Sequence, residues 1–117
     1  MRLEGERHLL RLFLGESDRH EGMPLYEAIV QRARTEGLAG ATVLRGIEGF
    51  GANSRIHRAS ILRLSEDLPI VIEIVDEREK IERFLALLDP WIADGLATIE
   101  KVQVVLYRPG APKQGPE

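Results

Sequence analysis

LPIVIEIV, Leu68 to Val75, is the most β-branched run in the chain. β-branched residues fit the pleated, packed surface of a sheet, so Pro69 to Val75 reads as a strand. With a period of two, Val71, Glu73 and Val75 fall on one face and the three isoleucines on the other. Upstream, Glu66-Asp67 reads as a turn and Ser60 to Ser65 alternates as strand. Before it, the polar segment Ala52 to Arg58 reads as a long, mobile loop entered through the glycine-punctuated run Gly46-Ile47-Glu48-Gly49-Phe50-Gly51. Thr42 to Ile47 is the strand that feeds it.

Further out, the pattern changes period on both sides. Asp76 with Glu79 three residues later resembles a capping box, and Ile81, Phe84, Leu85 and Leu88 give the apolar stripe of a helix that Pro90 ends or kinks. After Asp94-Gly95, Ala97 to Tyr107 puts Val102, Val104 and Leu106 on one face of a last strand. On the amino-terminal side, Leu25, Ile29 and Ala33 recur at helical spacing between Pro24, suited to a first turn, and Gly37, suited to a C-terminal cap. Gly15 to Gly22 reads as a loop. His8 to Leu14 alternates as a first strand, with Leu10, Leu12 and Leu14 opposite Leu9, Arg11 and Phe13.

The order is strand, helix, strand, strand, helix, strand, the split βαβ pattern of an α+β, ferredoxin-like βαββαβ sandwich. One domain is expected over residues 1–108, with a disordered tail over 109–117, rich in proline and glycine. Two helices cover one face of such a sheet. The other would carry Leu9, Phe13, Val71 and Val75 around Arg11 and Glu73, more apolar than a solvated face, and is expected to be buried against other subunits.

The 117 residues are 44% hydrophobic and 30% charged, which fits a folded globule. A formal net charge of −3 argues against a nucleic-acid partner, whose footprint is basic. No cysteine means no disulfide, thiolate nucleophile or cysteine metal site. The charged amino terminus has no signal-like apolar region and no apolar run approaches membrane-spanning length, so a cytoplasmic protein is expected.

GATVLRGIEGFG, Gly40 to Gly51, with LPIVIEIV after a polar loop, resembles PII signalling proteins, in which a strand ends in a KGFG-type turn, a long T-loop follows and a strand returns. ESDRHEGMPLYEAIV, GLAGATVLRGIEGFG and LRLSEDLPIVIEIVD together closely resemble a widespread bacterial family catalogued as a domain of unknown function and classed as PII-like, over about residues 7–108. The resemblance implies a homotrimer with its sheets toward the centre and ligand clefts between subunits. It implies no required cofactor, and a small anionic metabolite, an adenine nucleotide foremost, as effector. Gly49, Phe50 and Gly51 match the GFG turn, and Arg108 falls where the last basic residue of the terminal strand lies. Ala93-Asp94-Gly95-Leu96 is shorter than the family's phosphate loop and carries Leu96 in place of its lysine, and the T-loop segment has no tyrosine to modify. Gene association of some relatives with small membrane ion channels makes such a channel a candidate for the partner protein that the loop would regulate.

The residues themselves leave alternatives open. Glycines at 46, 49 and 51 let a backbone approach a phosphate, but also mark an ordinary bulge or turn. Arg45, Arg55, His57, Arg58 and Arg63 form a basic group suited to an anion, or a solvated charged loop. The candidate ligand-binding set is therefore Arg45, Gly49, Phe50, Gly51, Arg55, Arg58 and Arg108. His8, His20 and His57 show no metal-ligand spacing, and Glu16, Asp18, His20 and Glu21 read either as a cation site or, the reading preferred, as a charged loop leading into the helix. No nucleophile elbow, Walker A sequence or acid–base pair is present, so a non-enzyme is expected. A metal-tolerance or structural trimer of the CutA kind and a small ferredoxin-like enzyme are the rival readings.

Overall fold

The computed structural model describes residues 2–51 and 67–111 and the backbone of 57–58. β1 (Gly5–Gly15) leads through a two-residue ribbon, β2 (Arg19–His20) and β3 (Met23–Pro24), into helix α1 (Leu25–Thr35). β4 (Thr42–Arg45) follows, then β5 (Glu48–Gly49) and β6 (His57–Arg58), then β7 (Pro69–Asp76). Helix α2 (Arg78–Leu88), a 3-10 turn (Asp89–Trp91) and β8 (Leu96–Val104) complete the described order. The main sheet runs β4-β7-β1-β8, and every neighbouring pair is antiparallel. This is the expected ferredoxin-like order.

The core follows from the alternation in the central strands. Leu10, Leu12 and Leu14 of β1 and Ile70, Ile72 and Ile74 of β7 are buried with Ile29 and Ala33 of α1 and Ile81, Phe84 and Leu88 of α2. Burying each large aliphatic side chain contributes roughly 1.5–3 kcal/mol, an upper bound set against an extended chain. Gly37, at φ +78°, ends α1 as expected. The Leu38 amide donates to the Ala33 carbonyl and the Gly37 amide to the Arg34 carbonyl, the paired bonds of a glycine-terminated helix.

Several expectations need correction. Asp76 does not cap α2: the N-cap position is Glu77, with no side-chain cap bond. Asp76 is the last residue of β7 and points into the core, fully buried, where its carboxylate accepts from the Ala39 amide at 2.8 Å and the Glu77 amide at 2.7 Å. Pro24 precedes α1 instead of lying in its first turn, because its ψ of 134° is still extended. The 15–22 loop contains β2, which pairs with β3. Ile47 lies outside β4, and β8 ends at Val104, before Leu106 and Tyr107. Ser60 to Ser65 and the tail from residue 112 lie outside the described residues.

The sheet face away from the helices has the expected composition, arranged in rows. Leu96, Phe13, Val71 and Leu44 stand opposite one another across all four strands, and Thr98, Arg11, Glu73 and Thr42 form the next row. Phe13 is 37% exposed, Leu44 48% and Leu96 58%. At the centre the Arg11 guanidinium donates to Glu73 at 2.9 Å and to Glu100 at 2.6 Å. Its hydrogen bond to Glu73 raises its affinity for the proton further, so it stays charged.

Candidate functional site

The two feet of the 46–68 segment meet at one end of the sheet. β4 delivers the outgoing foot at Arg45, whose register partner is Ile70, and β7 receives the returning foot at Pro69, opposite Gly15. The Gly46 amide donates to the Pro69 carbonyl at 2.7 Å. A Cβ on Gly46 would stand 2.7 Å from Pro69 Cγ, and one on Gly49 would stand 3.1 Å from it. The proline ring is rigid, so Gly46 is there because a side chain does not fit. Glu48 and Gly49 pair with Arg58 and His57, holding the two branches together. Beside them, Ile47 is 78% and Phe50 72% exposed, large apolar side chains left facing outward.

A third segment braces both feet. The Glu16 amide donates to the Leu68 carbonyl at 2.8 Å and the Ser17 amide to Asp67 Oδ1 at 2.6 Å. Asp18 folds back on its own turn, its Oδ2 accepting from the Gly15 amide and its carbonyl from the Leu25 amide. Gly15 lets the Asp67 carboxylate come close, since a Cβ would lie 2.7 Å from Asp67 Oδ2 and the carboxylate would have to shift. The Glu16 carboxylate reaches across to pair with the Arg45 guanidinium. Downstream, the His20 ring stacks on Trp91 with centroids 3.9 Å apart, joining the β2–β3 ribbon to the 3-10 turn after α2.

Of the expected binding residues, Arg45, Gly49, Phe50 and Gly51 gather at these feet. Arg58 is there by its backbone, and Arg55, like Arg63, lies outside the described residues. Arg108 is not brought to them. It follows β8, whose last residue Val104 pairs with Gly5 at the far end of β1. Ten residue steps of β1 at about 3.3 Å each separate the ends by roughly 33 Å. One chain therefore cannot apply Arg45 and Arg108 to one small ligand. Leu96 opens β8 opposite Phe13 on the open face, and Gly95 packs so closely that a Cβ would meet the Phe13 carbonyl at 2.9 Å.

In the sequence, Glu16 and Asp67 read as parts of a charged loop and a turn. Their partners lie 29 and 50 positions away, and no local pattern marks such pairs. Among the described residues no group of three or more histidine, aspartate or glutamate side chains is placed to hold a metal ion. Among them, too, no helix is long and apolar enough to cross a membrane.

Residues 7–104 match the profile of the family DUF190, described as "Uncharacterized ACR". The chain belongs to the DUF190 family. A "UPF0166 protein" of Aquifex aeolicus is 42% identical over 100 residues, covering 86% of this chain and 94% of that one. A second UPF0166 protein, from Methanocaldococcus jannaschii, is 41% identical over 80 residues, covering 68% of this chain and 73% of its own. Among solved structures, CPII from Thiomonas intermedia, bound to ADP and bicarbonate, superposes with a TM-score of 0.65 at 18% identity, over 85% of this chain and 88% of that one. A putative PII-like signaling protein from Thermus thermophilus gives 0.62 at 23% identity, over 90% and 94%. The DUF190 chain thus has the PII-like fold that its GFG turn and returning strand suggest.

Proposed function

We propose that this DUF190 protein is a PII-like, non-enzymatic effector-binding protein. It takes a small anionic metabolite, an adenine nucleotide foremost, at clefts between copies of the chain in a homotrimer. Binding changes how the 52–58 segment meets a partner protein. The observation that carries this reading is the fold shared with CPII, a protein solved with ADP, in a chain that presents the largely exposed Arg45 guanidinium where β4 passes into the Gly46 to Gly51 run. Arginine pairs with a phosphate in bidentate geometry.

Assembly supplies what one chain lacks. Arg108 of a neighbouring copy meets the Arg45 end of its partner across the cleft, and the open sheet faces, with their apolar row of Leu96, Phe13, Val71 and Leu44, pack together at the centre. Ligand binding to one arrangement of the segment and not to another is what turns occupancy into a signal.

The test is calorimetric titration of AMP, ADP and ATP into the protein, with its mass in solution measured alongside. A trimer that binds at least one of them, and binds it more weakly as Arg45→Ala or Arg108→Ala, supports the reading. A monomer, or an assembly indifferent to all three, rejects it.

A further inference from the structure

We infer that the Glu16 carboxylate is a built-in competitor for the anion at Arg45, so that an effector phosphate enters by displacing it. The inference rests on the proposed anion role of Arg45 and adds a residue to it. Glu16 and Arg45 form an ion pair in the protein alone, with side chains 25% and 59% exposed. The two partners are held unequally. Glu16 is anchored to the returning foot through its own amide on the Leu68 carbonyl and through the neighbouring Ser17 amide on Asp67. Arg45 is the mostly exposed end residue of the short strand β4, and it enters the pair through a long, rotatable side chain.

Two consequences follow from that asymmetry. The guanidinium already has a carboxylate, so an incoming phosphate gains only the difference between its own bond to Arg45 and the one that Glu16 gives up. Two anions close together also repel, which raises the threshold further. When a phosphate takes Arg45, Glu16 stays with the returning foot and the side-chain tie to the outgoing foot is lost. Effector binding and the mutual position of the two feet are thereby coupled through one ion pair.

The experiment is titration of ADP and AMP into the wild type, Glu16→Gln, Arg45→Gln and the double variant. Glutamine keeps the size of Glu16 and all its backbone bonds, and removes only the charge. Glu36→Gln, which removes a carboxylate paired with Arg32 on α1, is the control for net charge. Glu16→Gln should bind nucleotide about two- to fivefold more tightly, the factor expected for releasing an exposed ion pair. Glu36→Gln should match the wild type, and the gain from Glu16→Gln should vanish when Arg45 is also replaced. A wild type that binds nucleotide, with Glu16→Gln unchanged or weaker, overturns the inference and leaves the effector reading standing. A gain that persists without Arg45 also overturns it, because Glu16 would then act by simple repulsion. If no variant and no wild-type protein binds either nucleotide, the effector reading fails and this inference fails with it.

Discussion

Replacing Gly46 with alanine tests whether the outgoing foot is as tightly seated on Pro69 as its geometry states. The new methyl would lie 2.7 Å from Pro69 Cγ. Unstrained carbon contacts sit at about 3.5–4.0 Å, so roughly 1 Å of movement is needed. Neither side yields easily. The proline ring is stiff, and the Gly46 amide is fastened to the same residue's carbonyl at 2.7 Å. Overpacking of this kind costs about 1–3 kcal/mol, and moving the backbone away would add about 0.5–1.5 kcal/mol for the weakened hydrogen bond. The smaller freedom of alanine in the unfolded chain returns about 0.4–1 kcal/mol. The net expectation is a loss of roughly 1–3 kcal/mol. Gly40→Ala is the matched control: nothing lies within 4 Å of its Cβ position and its backbone is not left-handed, so it should be neutral or stabilising by up to about 1 kcal/mol. Urea unfolding at one fixed protein concentration, followed by circular dichroism, compares the two. Equal stabilities, or Gly40→Ala the weaker, would refute the reasoning.

Two further expectations concern other parts of the molecule. Asp76→Ala strips the acceptor from the Ala39 and Glu77 amides in a fully buried position and should lower stability by about 2–4 kcal/mol in the same assay, with Asp76→Asn losing less. Arg11→Glu places a third carboxylate beside Glu73 and Glu100 at the centre of the open sheet face, so light scattering should show the proposed trimer falling to monomers; a trimer of unchanged mass would mean that this face is not the interface.

The fold was legible because its signals are local. Period two in Leu10 to Leu14 and period 3.6 in Ile81 to Leu88 each identify an element and its buried side. The pairing of Val102 with Val104 on one face also stands, although their strand stops before Leu106. What escaped was fixed by partners distant in sequence. Asp76 looked like a helix cap because a capping box is a four-residue pattern, whereas its amide partner at Ala39 lies beyond α1. The candidate site was half legible. Glycines and Arg45 stand out at the end of a strand, but the Glu16 and Asp67 braces exist only once three segments meet. The distance of Arg108 from Arg45 could not be read at all without the register of β8 on β1.

That separation makes a shared effector site built from two copies of the chain directly testable by complementation. Arg45→Ala and Arg108→Ala chains are each assembled alone, then unfolded together and refolded as mixed assemblies, and ADP binding is measured by calorimetry. Neither variant alone should bind like the wild type, and the mixture should regain part of the binding because some clefts then pair an intact Arg45 with an intact Arg108 from a neighbouring copy. A mixture that binds no better than the two variants apart would mean that Arg45 and Arg108 do not share a cleft between copies.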